Sequence, residues 1–84
     1  MSDRFARNLT ELRKSKGFSQ EELAFRASIH RTQVSLMENG TRLPRFETLI
    51  KLAGALEVSP AALTAGIVWE PVETLTGGLR ISEE

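Results

Sequence analysis

Two short helical segments that follow one another closely place the strongest constraint on the fold. They cover about residues 19–28 and 31–39, so only two residues separate them. Ser19 is placed to cap the first segment, and Glu22 stands three residues later, as in a capping box. Gly40 is placed to end the second segment. The pattern therefore predicts two short helices joined by a tight turn.

Three further helical segments surround this pair. Phe5, Leu9 and Leu12 form one apolar stripe, and Gly17 is placed to end that helix. Ser59 followed by proline begins a short helix that Gly66 ends. The remaining helix is predicted from apolar residues at helical spacing, namely Phe46, Leu49, Ile50, Ala53 and Leu56. The helical part of the chain is therefore predicted to be all-α, with five short helices.

Length and composition exclude several classes of protein. A chain of 84 residues suffices for one compact domain. With no cysteine and one histidine it cannot form a disulfide framework or a cysteine-ligated zinc site. It also lacks a nucleophile and base that could converge, which predicts that it is no enzyme and needs no cofactor or small-molecule ligand. The absence of a long apolar run or a secretion signal predicts a cytoplasmic protein that makes no membrane contact.

The charge and pattern of the chain change after Gly66. Residues 1–66 carry ten Lys and Arg against seven Asp and Glu, whereas residues 67–84 carry one Arg against four Glu. Pro71 and the Gly77-Gly78 pair interrupt the apolar residues of this acidic part, which favours an extended arm with a turn. We predict that the arm is a homodimer interface built from Trp69, Val72, Leu75, Leu79 and Ile81. A flexible tail that folds back on its own core is the alternative.

Residues 18–63 resemble the DNA-binding domain of phage repressor and Cro type regulators, the XRE family. The resemblance lies in four ordered blocks: SQEELA at 19–24, ENG at 38–40, PRFETLIKLAGAL at 44–56 and VSPAAL at 58–63. It implies a five-helix repressor-like domain over residues 1–66, with a helix-turn-helix and an extended or β C-terminal arm. Ser28 replaces the usual glycine of the turn, so the turn is expected either to be slightly adjusted or to hold the serine at a positive, slightly strained φ.

The resemblance implies a transcriptional regulator that binds double-stranded DNA as a homodimer, with repression the commoner outcome. In this class the second motif helix enters the major groove, and its first residues reach base edges. An arginine can pair with guanine and a glutamine with adenine. The predicted base contacts are therefore Arg31, Thr32, Gln33, Ser35 and Leu36. A phosphate contact remains open for Arg31, and packing against a neighbouring helix remains open for the apparently exposed Leu36.

Other polar residues are predicted to contact the DNA backbone. By resemblance, Gln20 would bind a phosphate at the start of the first motif helix, and Arg45 would lie over the backbone or in the minor groove after the second. The full set is Gln20, His30, Asn39, Thr41, Arg42 and Arg45. Ordinary solvated or capping roles are the alternatives for these residues. The resemblance also implies a structural ion pair between Arg13 and Glu38.

A second class of function competes with DNA binding. The chain could be an antitoxin-like protein, or another interaction module, whose main partner is a protein held by the arm. Salt-dependent binding to duplex DNA would separate the two classes, because a pure interaction module should show none.

Overall fold

The computed structural model describes residues 1–71 and 78–81, and five helices precede a two-stranded antiparallel sheet in this part of the chain. The predicted all-α domain with an extended arm is confirmed. Val72 and Leu75, two of the predicted interface residues, lie outside the described residues. The elements are α1 (Ser2–Ser15), α2 (Gln20–Ala27), α3 (Arg31–Glu38), α4 (Phe46–Leu56), α5 (Pro60–Leu63), β1 (Ile67–Glu70) and β2 (Gly78–Ile81).

The boundary between α1 and α2 forms largely as the sequence predicts. Gly17 has a φ of +76°, and the N–H of Phe18 donates to the Arg13 carbonyl oxygen at 3.2 Å, which closes α1. The Ser19 hydroxyl accepts from the N–H of Glu22 at 3.0 Å and caps α2. The predicted return bond, from the Ser19 N–H to the Glu22 carboxylate, does not form. The Glu22 carboxylate accepts instead from Arg26 Nε at 2.7 Å, because these residues are neighbours at i, i+4 on α2.

A tight left-handed turn joins α2 to α3. Ser28 has φ 56° and ψ 44°, so of the two expected outcomes the serine keeps the left-handed conformation of the usual glycine. The N–H of the next residue, Ile29, donates to the Ala24 carbonyl oxygen at 3.0 Å, so the chain reverses within two residues. A non-glycine residue in this conformation costs about 1 kcal/mol. The turn fixes the direction in which α3 leaves α2.

The core lies where the five helices meet. Val34 and Met37 of α3 are buried. The prediction for α4 is partly wrong, because Phe46 is 78% exposed and Ile50 is also exposed, while Leu52 is fully buried. The packing of α2 and α5 against α4 selects a neighbouring face of the helix. The core residues are Phe5, Leu9, Leu23, Ala24, Ala27, Val34, Met37, Leu52, Ala53, Leu56 and Leu63.

The arm begins as a β-hairpin directly after the helices. In the register of β1 and β2, Ile67 pairs with Ile81 and Trp69 pairs with Leu79. Ile67 is partly buried and packs against the helical core, so the first residue of the arm belongs to the body of the fold. Farther along, Trp69 is 59% exposed. None of the helices described is long and apolar enough to cross a membrane.

Candidate nucleic-acid interface

The polar face of α3 points away from the core because the opposite face is buried against α1 and α2. At its start, the Gln33 side chain turns back, and its Oε1 accepts from the backbone N–H of His30 at 3.1 Å. This bond satisfies one of the free N–H groups at the helix start. The His30 side chain is exposed. The first turn of α3 is therefore held by Gln33.

The predicted base contacts differ in how far they are accessible. Arg31 and Thr32, the first two residues of α3, are exposed. Gln33 and Ser35 are half-buried, and the side-chain Oε1 of Gln33 already accepts the bond from the His30 N–H. Leu36 was expected to be exposed but is half-buried, because the chain folds back over the end of α3 at Thr41. The accessible part of this helix is its N-terminal end.

A bidentate ion pair fastens the far end of α3 to α1. Arg13 Nε lies 2.6 Å from Glu38 Oε2, and Arg13 Nη2 donates to Glu38 Oε1 at 2.9 Å. The two side chains are only 12% and 6% exposed. Arg13 Nη1 also donates to the carbonyl oxygen of Phe18 at 2.8 Å. Phe18 is the residue just before Ser19, the cap of α2. One guanidinium therefore joins α1, the start of α2 and the end of α3.

The Glu38 carboxylate has two further partners that the sequence did not reveal. Gln20 Nε2 donates to Glu38 Oε1 at 3.1 Å, and Thr10 is a second hydrogen-bond donor. Burial of the Glu38 carboxyl raises its pKa, because desolvation disfavours the charged form. The hydrogen bonds from Arg13, Gln20 and Thr10, together with the charge of Arg13, lower the pKa by more, so it lies below its ordinary value. Nothing in the local sequence pattern signals these contacts.

The bond to Glu38 positions the side chain of Gln20, a residue predicted to contact the DNA backbone, at the start of α2. A side-chain amide nitrogen carries two hydrogens, so one N–H remains for another acceptor. Gln20 lies in the first turn of a helix whose N-terminus favours anions. The residue is thus part of the Glu38 network and keeps a second amide N–H for a further acceptor.

The loop after α3 carries most of the other residues that are predicted to contact the DNA backbone. Asn39 Oδ1 accepts from the Thr41 N–H at 2.9 Å, and the side chains of Asn39 and Thr41 remain exposed. Arg42 and Arg45 are exposed and line a depression of about 530 Å³ between α3 and α4, with Gln33 on its other side. Within residues 1–71 and 78–81, Arg31, Arg42 and Arg45 have no ion-pair partner. Three unpaired arginines therefore lie on or next to the polar face of α3.

Two short helices joined by a left-handed turn, the second presenting a polar, cationic end, define a helix-turn-helix DNA-binding domain. Sequence comparison agrees, because residues 9–63 match the model of the helix-turn-helix family. The chain belongs to this family, in its repressor and Cro (XRE) branch, and is a helix-turn-helix transcriptional regulator. Proteins of this kind are generally not enzymes.

Individual relatives include restriction-modification controller proteins. The control protein C.BamHI from Bacillus amyloliquefaciens is 40% identical over 60 residues, which are 70% of this chain and 74% of that protein. The HTH-type transcriptional regulator y4dJ from Sinorhizobium fredii is 41% identical over 56 residues, or 67% and 73% of the two chains. The crystal structure of the controller protein C.AhdI from Aeromonas hydrophila superimposes with a TM-score of 0.72 at 40% identity, over 74% of this chain and 94% of that one.

Proposed function

We propose that this chain is a sequence-specific regulator that reads the major groove of double-stranded DNA with α3, acts as a homodimer and represses transcription. One observation carries the proposal: Arg31 and Thr32 are exposed at the N-terminal end of a helix that the buried Arg13–Glu38 pair fixes to the body. Base readout needs donors and acceptors held in a fixed orientation, because each contact depends on bidentate geometry. A braced helix with an open N-terminal end supplies this orientation.

The contacts follow from the position of each side chain. Arg31 pairs with guanine, while Thr32, Gln33, Ser35 and Leu36 contact the neighbouring base edges. The free N–H of Gln20 donates to a phosphate oxygen next to the start of α2. Phosphate contacts on the other side of α3 come from His30, Asn39, Thr41, Arg42 and Arg45. These backbone contacts set the register of the protein without reading sequence.

The salt dependence of duplex binding tests the DNA-binding role. Two cationic phosphate contacts per protomer, Arg42 and Arg45, give four per dimer and predict an affinity loss on the order of a hundredfold between about 50 and 200 mM salt, because each neutralised phosphate releases counterions. The measurement is a titration of labelled duplex at several salt concentrations. A mutant protein with Arg42→Ala and Arg45→Ala should show a shallower slope. A protein that acts only through a protein partner, as an antitoxin-like module would, should show no such binding at any of these concentrations.

The homodimer follows from the small size of the reading surface. One short helix contacts too few bases for useful specificity, and two copies on adjacent turns of the groove double the readout. The hairpin lies beyond residues 9–63, which match the family, and it exposes Trp69 and Ile81. A lone two-stranded hairpin is marginally stable and gains from pairing with a second one. We assign the dimer contact to this arm.

A second surface competes for the dimer contact. Phe46 and Ile50 lie one turn apart on α4 and are both exposed, although the sequence predicted them to face the core. Exposed apolar residues that cluster in this way mark interaction sites. The two surfaces therefore predict different oligomeric states for a chain without the arm. The chain becomes a monomer if the arm is the interface and remains a dimer if the α4 face is.

Removing the arm after Ile67 should convert the dimer to a monomer. The cut keeps Ile67 because this residue packs against the core, so a loss of self-association would not reflect unfolding. Sedimentation equilibrium of the shortened and full chains at equal concentration measures the effect. Trp69→Ser in the full chain should weaken the dimer in the same direction. A shortened protein that remains fully dimeric would place the interface on the helical body, and Phe46→Ser would then be the disruptive change.

A further inference from the structure

The place where the arm leaves the helices is tied to α1 by two side chains. Asn8 is buried, and its Nδ2 donates to the carbonyl oxygens of Leu63 and Ala65, each at 2.9 Å. Arg4, one turn earlier on α1, donates from Nε to the Ala65 carbonyl oxygen at 3.2 Å. We call Arg4 and Asn8 the root clamp. Both amide hydrogens of Asn8 are used on the segment that ends α5 and leads into β1.

The geometry of Gly66 shows how closely the root clamp fits this segment. Gly66 has a φ of +82°, and a Cβ built there would lie 2.6 Å from Arg4 Nη2 and 2.9 Å from Arg4 Cζ. The guanidinium therefore lies directly against the glycine. The next residue, Ile67, donates its N–H to the Thr64 carbonyl oxygen at 3.0 Å and packs against the core. The arm thus leaves the body in one fixed direction.

The same helix that holds the arm also holds α3. Arg4 and Asn8 lie in the first half of α1, and Arg13 in its second half binds Glu38 at the end of α3. An α-helix of 14 residues with a buried face is a stiff element, about 1.5 Å long per residue. The position of the arm relative to α3 is therefore set through α1.

We propose that the root clamp fixes the angle between the arm and α3, and that Asn8 is thereby the positioning residue that sets which half-site spacing the dimer accepts. The inference rests on the proposed function, in which the arm joins two copies. Moving one half-site by a base pair shifts it by about 3.4 Å along the DNA and turns it around the helix axis by about a tenth of a turn. A dimer with fixed arms should bind the altered site more weakly. A dimer with loosened arms can adjust to the new spacing and should keep most of its affinity.

The test compares Asn8→Ala with the unmodified full chain on duplexes whose half-sites stand at the preferred spacing or one base pair closer or farther. We expect the unmodified dimer to lose about tenfold in affinity at the altered spacings, and Asn8→Ala to lose less than about threefold. Affinity for a duplex with a single half-site should stay the same, which a general loss of structure would not allow. Trp69 is the only tryptophan in the chain, so its fluorescence anisotropy should also report a more mobile arm in the mutant.

A pair of glycine substitutions provides the matched control. Gly66→Ala strains the backbone and must displace Arg4, while Gly17→Ala strains it at a similar φ of +76° but meets nothing within 4 Å. Gly66→Ala should therefore relax the spacing preference, and Gly17→Ala should preserve it. This comparison also decides the matter if Asn8→Ala fails to fold.

The possible outcomes separate the two proposals. If the unmodified chain is monomeric, the proposed dimeric function is wrong. If the unmodified chain is a dimer that binds all spacings equally, its arms are not fixed, and the root clamp proposal is wrong while the dimeric function stands. If the unmodified chain prefers one spacing and Asn8→Ala and Gly66→Ala keep the same preference, the root clamp does not set the spacing, and the dimeric function stands.

Discussion

Replacing Glu38 by glutamine is expected to lower the free energy of unfolding by about 3 kcal/mol, because it leaves the Arg13 guanidinium buried without its charged partner. For a domain of this size that loss corresponds to a fall in Tm on the order of 15 °C. The pair is almost fully buried and bidentate, so its partner cannot simply return to water. The change is measured by thermal and denaturant unfolding.

Glu11→Gln is the matched control, because it makes the same chemical change in an exposed pair. Glu11 lies 3.5 Å from Arg7 on the surface of α1, and the two side chains are 66% and 68% exposed. Exposed i, i+4 pairs contribute only about 0.5 kcal/mol. If Glu38→Gln changes the melting temperature no more than Glu11→Gln does, the Arg13–Glu38 pair does not brace α3.

The stabilisation by Glu38 should also depend on pH with a defined sign. Its pKa is lower in the folded protein than in the unfolded chain, where a glutamate titrates near about 4.3. A depressed folded pKa means that the carboxylate stabilises the fold above the unfolded value, and that this contribution is lost as the pH falls through the folded pKa. The difference in stability between the unmodified chain and Glu38→Gln should therefore be constant near neutrality and shrink below about pH 4.

Arg31→Ala is expected to lower affinity for the specific site by about 5-fold to 150-fold per half-site, since a bidentate contact to guanine is worth about 1–3 kcal/mol. The base preference at one position of each half-site should relax. Affinity for unrelated duplexes should change little by comparison. Titrations against the specific site and its single-base variants measure both effects.

Arg7→Ala serves as the control for loss of a positive charge, because Arg7 is an exposed arginine on α1, outside the two motif helices. It should leave the base preference unchanged. Equal weakening by Arg31→Ala on all duplexes would instead identify Arg31 as a phosphate contact.

Local signals in the sequence predicted most helix boundaries correctly. Gly17 and Ser19 end or begin helices through their own backbone and side-chain chemistry, so short windows suffice to recognise them. Gly66 was predicted to end α5, but that helix ends at Leu63 with Thr64 as its C-cap, so the predicted boundary lies too late. The positive φ of Ser28 was one of the two outcomes expected from its place in the resemblance to the family. The face of α4 was harder to predict, because Phe46 and Leu52 are both apolar and only packing decides which is buried.

Except for the Arg13–Glu38 pair, which the family resemblance implied, the long-range contacts that organise the site were missed by the sequence patterns. Gln20 reaches Glu38 across 18 residues, and Asn8 reaches Leu63 across 55. Neither pair has a spacing that a helix or strand period would reveal. Glu22 differs, because both of its candidate partners are local. Its carboxylate accepts from Arg26 and not from the backbone N–H of Ser19.

Selection of bound duplexes from a random DNA pool tests the central claim, that α3 reads sequence in the major groove of DNA as part of a dimer. We expect enrichment of a two-fold symmetric site whose half-sites lie about one helical turn, roughly 34–36 Å, apart, with a guanine at the position that Arg31 reads. Recovery of duplexes without any shared sequence would contradict the claim.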